Sequence, residues 1–293
     1  MKTQENRVTN LVANAACVFF SFCAIAPVVL LIIASFTDND LATAQGFSFF
    51  PKQLSLEAYE YIAIQWQTIG RAYLMTVLVT VMGTAISLII SILFAYGIQQ
   101  RDIPGMRVFS FLLIFTMLFN GGLVSTYYCY IKLFHIKNTI WALVVPNLLM
   151  SAFDVILIRN YYTTSIPDAL LEAARLDRAG EFRILFSIVL PLSKPIIATI
   201  GLMRALIYWN DWTNGLYYLS ERGGKQLYTI QCIMNNINEN LEILRQSTAQ
   251  GVAAGLNVMS MPSTTVRMAI AVIGILPILV AYPFFQKYFV KGI

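Results

Sequence analysis

Residues 165–195 read SIPDALLEAARLDRAGEFRILFSIVLPLSKP, and this stretch decides how the chain folds. Ser165 and Asp168 have the spacing of a helix-capping pair. Pro167 falls in the first turn, where its missing N–H costs nothing. Leu170, Leu171, Ala173, Ala174 and Leu176 then predict a short helix of good intrinsic propensity, and Gly180 is placed to end it. Glu181 to Leu190 reads as a second helical piece that enters a long apolar run near Pro191 and Pro195. Glu172, Arg175, Asp177, Arg178, Glu181 and Arg183 concentrate charge in a few turns of a chain that has little elsewhere.

Outward from that stretch, the composition fixes the class. The 293 residues are 58% hydrophobic and 12% charged, where soluble domains carry about 25% charged residues. That is too little charge to cover a soluble globule and too much hydrophobicity for disorder. With 16 Gly and 10 Pro, collagen-like and low-complexity chains are excluded too. A helix needs about 20 apolar residues to cross a bilayer. Such runs fall at roughly 11–36, 70–98, 107–126, 138–159, 188–214 and 264–289. The alternating short segments of an outer-membrane barrel are absent from the sequence. The expected fold is all-α, a polytopic membrane protein of six spans forming one domain over 1–293. The first run exceeds a signal-peptide core of about 7–15 residues and reads as a retained span.

With the N-terminus inside, Lys2, Arg7, Arg101, Arg107, Arg159, Arg175, Arg178, Arg183, Lys194, Lys287 and Lys291 lie on the inner side. Lys52, Arg71, Lys132, Lys137, Arg222, Lys225, Arg245 and Arg267 lie on the outer side, in segments about twice as long in total. The bias places both termini in the cytoplasm. The stretch at 165–195 is then an inner loop. The segment after the first span is acidic and aromatic, and the longest outer segment, about 215–263, is rich in Asn and Gln. Cys17, Cys23, Cys129 and Cys232 show no metal or disulfide spacing and read as small apolar residues. His135 reads as a solvated loop residue. Gly251 and Gly255 form a weak GxxxG in an outer segment. Gln231 to Asn240 reads as a solvated loop or as a surface for an external protein.

Physically, the inner loop is either a rigid knob that docks into another protein or an amphipathic helix on the membrane surface. Its residues resemble the EAA loop of permeases of ATP-binding-cassette (ABC) importers: Glu-Ala-Ala, three residues, Gly, nine residues, Ile-x-Leu-Pro. The sequence matches at Glu172, Ala173, Ala174, Ile188, Leu190 and Pro191 with the spacing intact. It has Arg178 where the pattern has Gly, and Gly180 follows two places later. YWNDW at Tyr208 to Trp212 and the ending from Met261 resemble the carbohydrate branch, and within it the maltose-type second subunit of the aldouronate and complex-glycan subgroup. That ending usually runs a few residues further, so Gly292-Ile293 reads as a shortened end.

The resemblance implies a type I ABC importer permease in a bacterial cell membrane, with a coupling loop at about 161–187. It implies that Glu172, Ala173, Ala174, Arg175, Asp177, Arg178 and Gly180 meet an ATPase. It also implies a paralogous second permease subunit, two ATPase subunits that bind the ATP and Mg, a lipid-anchored external solute-binding protein and an oligosaccharide substrate. No cofactor, metal or nucleic acid is expected for this chain. Tyr208, Trp209, Asn210, Asp211, Trp212 and Asn214 offer aromatic faces, amides and a carboxylate suited to a sugar. The other readings are an interfacial aromatic belt and a docking surface for the binding protein. Asp154 and Arg204 fall inside spans four and five, where charges pair or line a pathway. The sequence carries no HExxH, GxSxG or Walker A pattern, which argues against an intramembrane enzyme and against ATP hydrolysis by this chain. It shows no inverted repeat of the secondary-transporter kind. A permease for peptides or polyamines is the nearest alternative.

Overall fold

The computed structural model describes residues 2–100, 103–249 and 264–290, and it is helical with no β-strand among them. Arg101, Gly251, Gly255 and the ending from Lys291 lie outside the described residues. The chain divides into two compact units, Met1–Ile69 with Asn236–Pro277 and Gly70–Asn235 with Ile278–Ile293.

In the first unit, helix α1 (Lys2–Ser35) is apolar over Thr9–Ser35 and long enough to cross a membrane. Phe19, Phe20 and Phe22 stand exposed on it, as a lipid-facing helix requires. At its end the ring of Phe36 stacks on Tyr59 at 4.8 Å, and the hydroxyls of Ser35 and Tyr59 lie 2.8 Å apart. The acidic segment that follows is helical. Asp38 caps α2 (Asn39–Gln45) by accepting from the backbone N–H groups of Asp40 and Leu41, each at 3.1 Å. Helix α3 (Glu57–Ile64) leads into α4 (Trp66–Gln99).

The second unit holds most of α4, and then α5 (Met106–Leu118) and α6 (Gly122–Lys132). The last two meet at 120°. Gly122 has φ +80°, a conformation open to glycine, and its N–H bonds the side chain of Asn120 at 2.9 Å. The expected span at 138–159 is not continuous. It breaks into the single turn α7 (Trp141–Val144) and α8 (Ala152–Ser165). Pro146 lacks an N–H, and Asn147 sits in the left-handed region at φ +60°. Then come α9 (Asp168–Leu176) and α10 (Glu181–Ile184), a π-helical turn at Leu185–Val189, α11 (Leu190–Leu192) and α12 (Lys194–Asn210). The segments on either side of Ser193 bend by 81°. Pro191 removes an i→i−4 hydrogen bond there, and Pro195 falls in the first turn of α12, where none is lost. Helices α13 (Thr213–Tyr218), α14 (Ile230–Ala249) and α15 (Thr264–Val290) complete the order. The stretch Gln231 to Asn240 is therefore helix, not loop.

By length and apolarity, three helices among the described residues can cross a membrane, or five if each bent pair is one span. Six continuous spans were expected; the fourth fails the length criterion because of the break at Pro146. The main core of the second unit joins Ala95, Tyr96, Val155, Ile158, Tyr162, Leu171, Ala174, Ile184, Leu185 and Ile200. It thereby packs the inner loop against the ends of α4 and α8.

Candidate functional site

The inner loop is a built knob. Ser165 is the last residue of α8 and Pro167 caps α9 without a side-chain bond, so the expected Ser165–Asp168 capping pair does not form. The extension of α8 also makes the first residues of the expected 161–187 loop a continuation of that helix. On α9, Leu171 and Ala174 are buried in the core. Glu172, Ala173, Arg175, Asp177 and Arg178 are exposed. The two alanines thus divide: Ala173 keeps the outer face thin, while Ala174 lets the helix sit close to its own core. Leu176 is 85% exposed and Phe182 73%, an apolar surface unsuited to water.

Gly180 does not end α9. Arg178 does, in the left-handed conformation at φ +58°. The Ala179 N–H bonds the Ala174 carbonyl at 3.0 Å and the Arg178 N–H bonds the Arg175 carbonyl at 2.9 Å. That is a Schellman termination, whose left-handed position favours glycine. Gly180, with φ −68°, instead begins α10. The turn survives without glycine because it is closed by two backbone bonds.

Four side chains tie the knob to α4. Arg175 Nε donates to Glu181 Oε1 at 3.0 Å, and Arg175 Nη2 donates to Gln100 Oε1 at 2.7 Å. The Tyr96 hydroxyl donates to Glu181 Oε2 at 2.5 Å, and Gln100 Nε2 reaches the same oxygen at 3.5 Å. Tyr96, Gln100 and the role of Glu181 are not readable in the sequence. The partners lie 75 to 85 positions apart, with no local pattern to mark them.

A second cluster surrounds the break between α7 and α8. Arg204 pairs with Asp154 through Nε and Oδ2, both side chains being buried. Three side chains then donate to the carbonyls that the break leaves open. Arg204 Nη1 reaches Leu148 O at 3.2 Å, the Tyr208 hydroxyl reaches Val144 O at 2.9 Å, and Asn214 Nδ2 reaches Pro146 O at 3.0 Å. Inside a membrane such carbonyls need protein partners. Gly83 on α4 is what admits Tyr208: a Cβ there would stand 2.5 Å from its ring.

This geometry divides the expected pathway residues. Tyr208, Trp209 and Asn214 are buried, with Trp209 edge-on to Tyr73 at 5.9 Å. Their surroundings are those of structural residues, not of an open sugar site. Asn210 and Trp212 are exposed, though Asn210 Nδ2 bonds its own helix at Leu206 O, 2.8 Å away. The sequence motif conflates the two groups because neighbouring residues of a helix and its exit turn point to different sides.

The chain over residues 61–293 matches the family model described as binding-protein-dependent transport system inner membrane component. The chain belongs to this family. The permease is 35% identical over 289 residues to the polygalacturonan/rhamnogalacturonan transport system permease protein YtcP of Bacillus subtilis (strain 168). That match covers 98% of this chain and 97% of the relative. It is 34% identical over 268 residues to protein LplC of the same organism, covering 92% and 87%. Among solved structures it is similar to a chain of a bacterial ABC transporter involved in the import of the acidic polysaccharide alginate. The TM-score is 0.79 at 28% identity, over 97% of this chain and 98% of that one. The permease therefore has the type I ABC importer fold, is a multi-pass membrane component, and is a transport subunit and not an enzyme.

Asp211 lies beyond the end of α12. Its carboxyl accepts from the backbone N–H of Thr213 at 3.2 Å and of Asn214 at 3.5 Å. His135, at φ +51°, is exposed, in keeping with a loop residue.

Proposed function

We propose that the chain, as one functional domain over 1–293, is the permease subunit of an ATP-driven importer of oligosaccharides and forms half of the translocation pathway with a paralogous second permease. Two ATPase subunits supply the ATP and Mg chemistry, and this chain itself holds no cofactor or metal. An external, lipid-anchored solute-binding protein delivers the sugar, and both termini lie in the cytoplasm, in keeping with the distribution of Lys and Arg.

The observation that carries the reading is the knob at α9. It exposes Glu172, Ala173 and the apolar side chains of Leu176 and Phe182 while its inner face is packed on the core. Such a surface suits a cleft in an ATPase. A docked Glu172 would need a cation or backbone N–H groups in that cleft, since an unpaired buried charge is costly. The sugar substrate is supported by the polysaccharides that the relatives' names carry. Asn210 and Trp212 are the expected pathway residues that remain open to solute, with the half-buried Asp211 between them. Asp154, Arg204, Tyr208, Trp209 and Asn214 shape the wall behind them.

The test is Glu172→Lys in the assembled importer. Transport stops and solute no longer stimulates ATP hydrolysis, because the knob no longer seats. Solute-stimulated hydrolysis at the wild-type rate in that variant overturns the coupling role. Ligand binding by the companion solute-binding protein tests the sugar separately: tight binding of an amino acid, peptide or polyamine in place of an oligosaccharide overturns it.

A further inference from the structure

Two arginines in the second unit are left without a counter-charge. Arg107 on α5 and Arg159 on α8 line a cavity of about 460 Å³ together with Ile98, Gln100, Met106 and Ser110. Neither arginine takes part in a salt bridge among the described residues. The Arg159 Nε is buried and has no hydrogen-bond partner. A buried guanidinium N–H without an acceptor is costly, and the described lining offers no carboxylate to supply one. Among the described residues the cavity is thus a cationic cup without an anion.

A second hollow adjoins it. A groove of about 380 Å³ is lined by Ile90, Leu93, Phe94, Gly97, Met106 and Phe109, all of them apolar or glycine. Met106 lines both spaces. Gly97 leaves the groove floor without a side chain, and Phe94 and Phe109 meet edge to face at 6.4 Å to wall it. A polar cup with two guanidinium groups, meeting an apolar trough at Met106, has the chemistry of one amphipathic ligand. Guanidinium forks match phosphate oxygens, and the trough matches an acyl chain. Both hollows fall in the size range of ligand sites.

We infer that Arg107 and Arg159 bind the phosphate of an anionic phospholipid, with one of its acyl chains in the groove between α4 and α5. By the charge bias this lipid belongs to the cytoplasmic leaflet, where basic pockets between helices take anionic headgroups. The site also touches the coupling machinery. Gln100 lines the cup, and its amide is the same one that bonds Arg175 and Glu181 of the knob. A lipid in the cup braces the α4 end of that contact.

The inference does not depend on which solute is carried, and its test needs no transport. The full-length chain is purified with the partners it retains, stripped of lipid in a neutral detergent, and titrated with phosphatidylglycerol or phosphatidylcholine of equal chain length. Bound lipid is counted by native mass spectrometry. Phosphatidylglycerol is expected to bind about 30-fold more tightly, roughly five-fold for each guanidinium. Arg107→Gln, at an exposed side chain where folding is not at stake, lowers the preference about five-fold. Arg107→Gln with Arg159→Gln abolishes it. Arg183→Gln, on the exposed face of the knob, leaves it unchanged. Equal binding of the two lipids, or an undiminished preference in the double variant, overturns the site. Glycerol phosphate or inorganic phosphate competing as strongly as the whole lipid overturns the acyl-chain half and makes the cup a site for a soluble phosphate.

Discussion

At Arg178 the cost of a left-handed residue is carried by a side chain with a Cβ. That conformation costs a non-glycine residue about 1–2 kcal/mol, partly offset because glycine loses more freedom on folding. Arg178→Gly is therefore expected to stabilise the protein by about 0.5–1 kcal/mol, seen as a higher unfolding midpoint in detergent. Arg178 therefore brings local strain into the Schellman turn. The buried pair is a sharper case. Asp154→Ala leaves Arg204 uncompensated and is expected to cost about 3–5 kcal/mol. Exchanging the two charges should recover part of that loss, since the pair can form again. Recovery stays incomplete, because an Asp at position 204 cannot donate to Leu148 O as Arg204 does. Thermal unfolding of the singles and the double tests both statements, and a double reversal no better than either single refutes the pair as the stabilising unit.

Among the elements, the contact between the knob and α4 joins the buried Tyr96 and half-buried Gln100 to an exposed ion pair. The side chains of Arg175 and Glu181 are 40% and 52% accessible, and exposed pairs contribute about 0–1 kcal/mol to stability. Glu181→Gln, which cuts the Arg175 pair and weakens the bond from Tyr96, should leave the unfolding midpoint nearly unchanged. If the contact transmits motion from the ATPase to α4, the same variant lowers transport per ATP hydrolysed. An unchanged ratio would mean that the loop moves α4 through packing at Leu171 and Ala174 alone. The knob was legible in the sequence because helix propensity and the EAA spacing are local. Its attachment was not, since Tyr96 and Gln100 approach only after α4 and the loop are folded together. The break at Pro146 was hidden for another reason: hydropathy averages over a window, and an apolar run stays apolar when its helix is cut. The partners that make the cut tolerable, Arg204, Tyr208 and Asn214, were visible as polar residues, and sugar chemistry explained them as readily as carbonyl capping did.

Across the whole molecule, low charge content and span length set the membrane class, and the structure keeps that class while changing how the chain crosses. Continuous helices serve for α1, α4 and α15, and two bent pairs, α5 with α6 and α10–α11 with α12, have the length and apolarity of a span when each is taken as one. Bent crossings demand that each side chain arrive at the right height, so chain length between anchors becomes a constrained quantity. The π-turn at Leu185–Val189 bears on this directly. It holds one residue more than an α-turn would, between an anchor at Ile184 and the pair at Arg204. An α-helix advances about 100° and 1.5 Å per residue, so losing one residue from α12 turns Arg204 away from Asp154. Losing exposed Ser187 from the π-turn can be absorbed by its reverting to α-helix, with everything downstream kept in phase. Deletion of Ser187 should leave a folded, monodisperse protein in detergent where deletion of Ala198 does not. The turn is in effect a spare link in the chain, the one place in this segment where its length is negotiable.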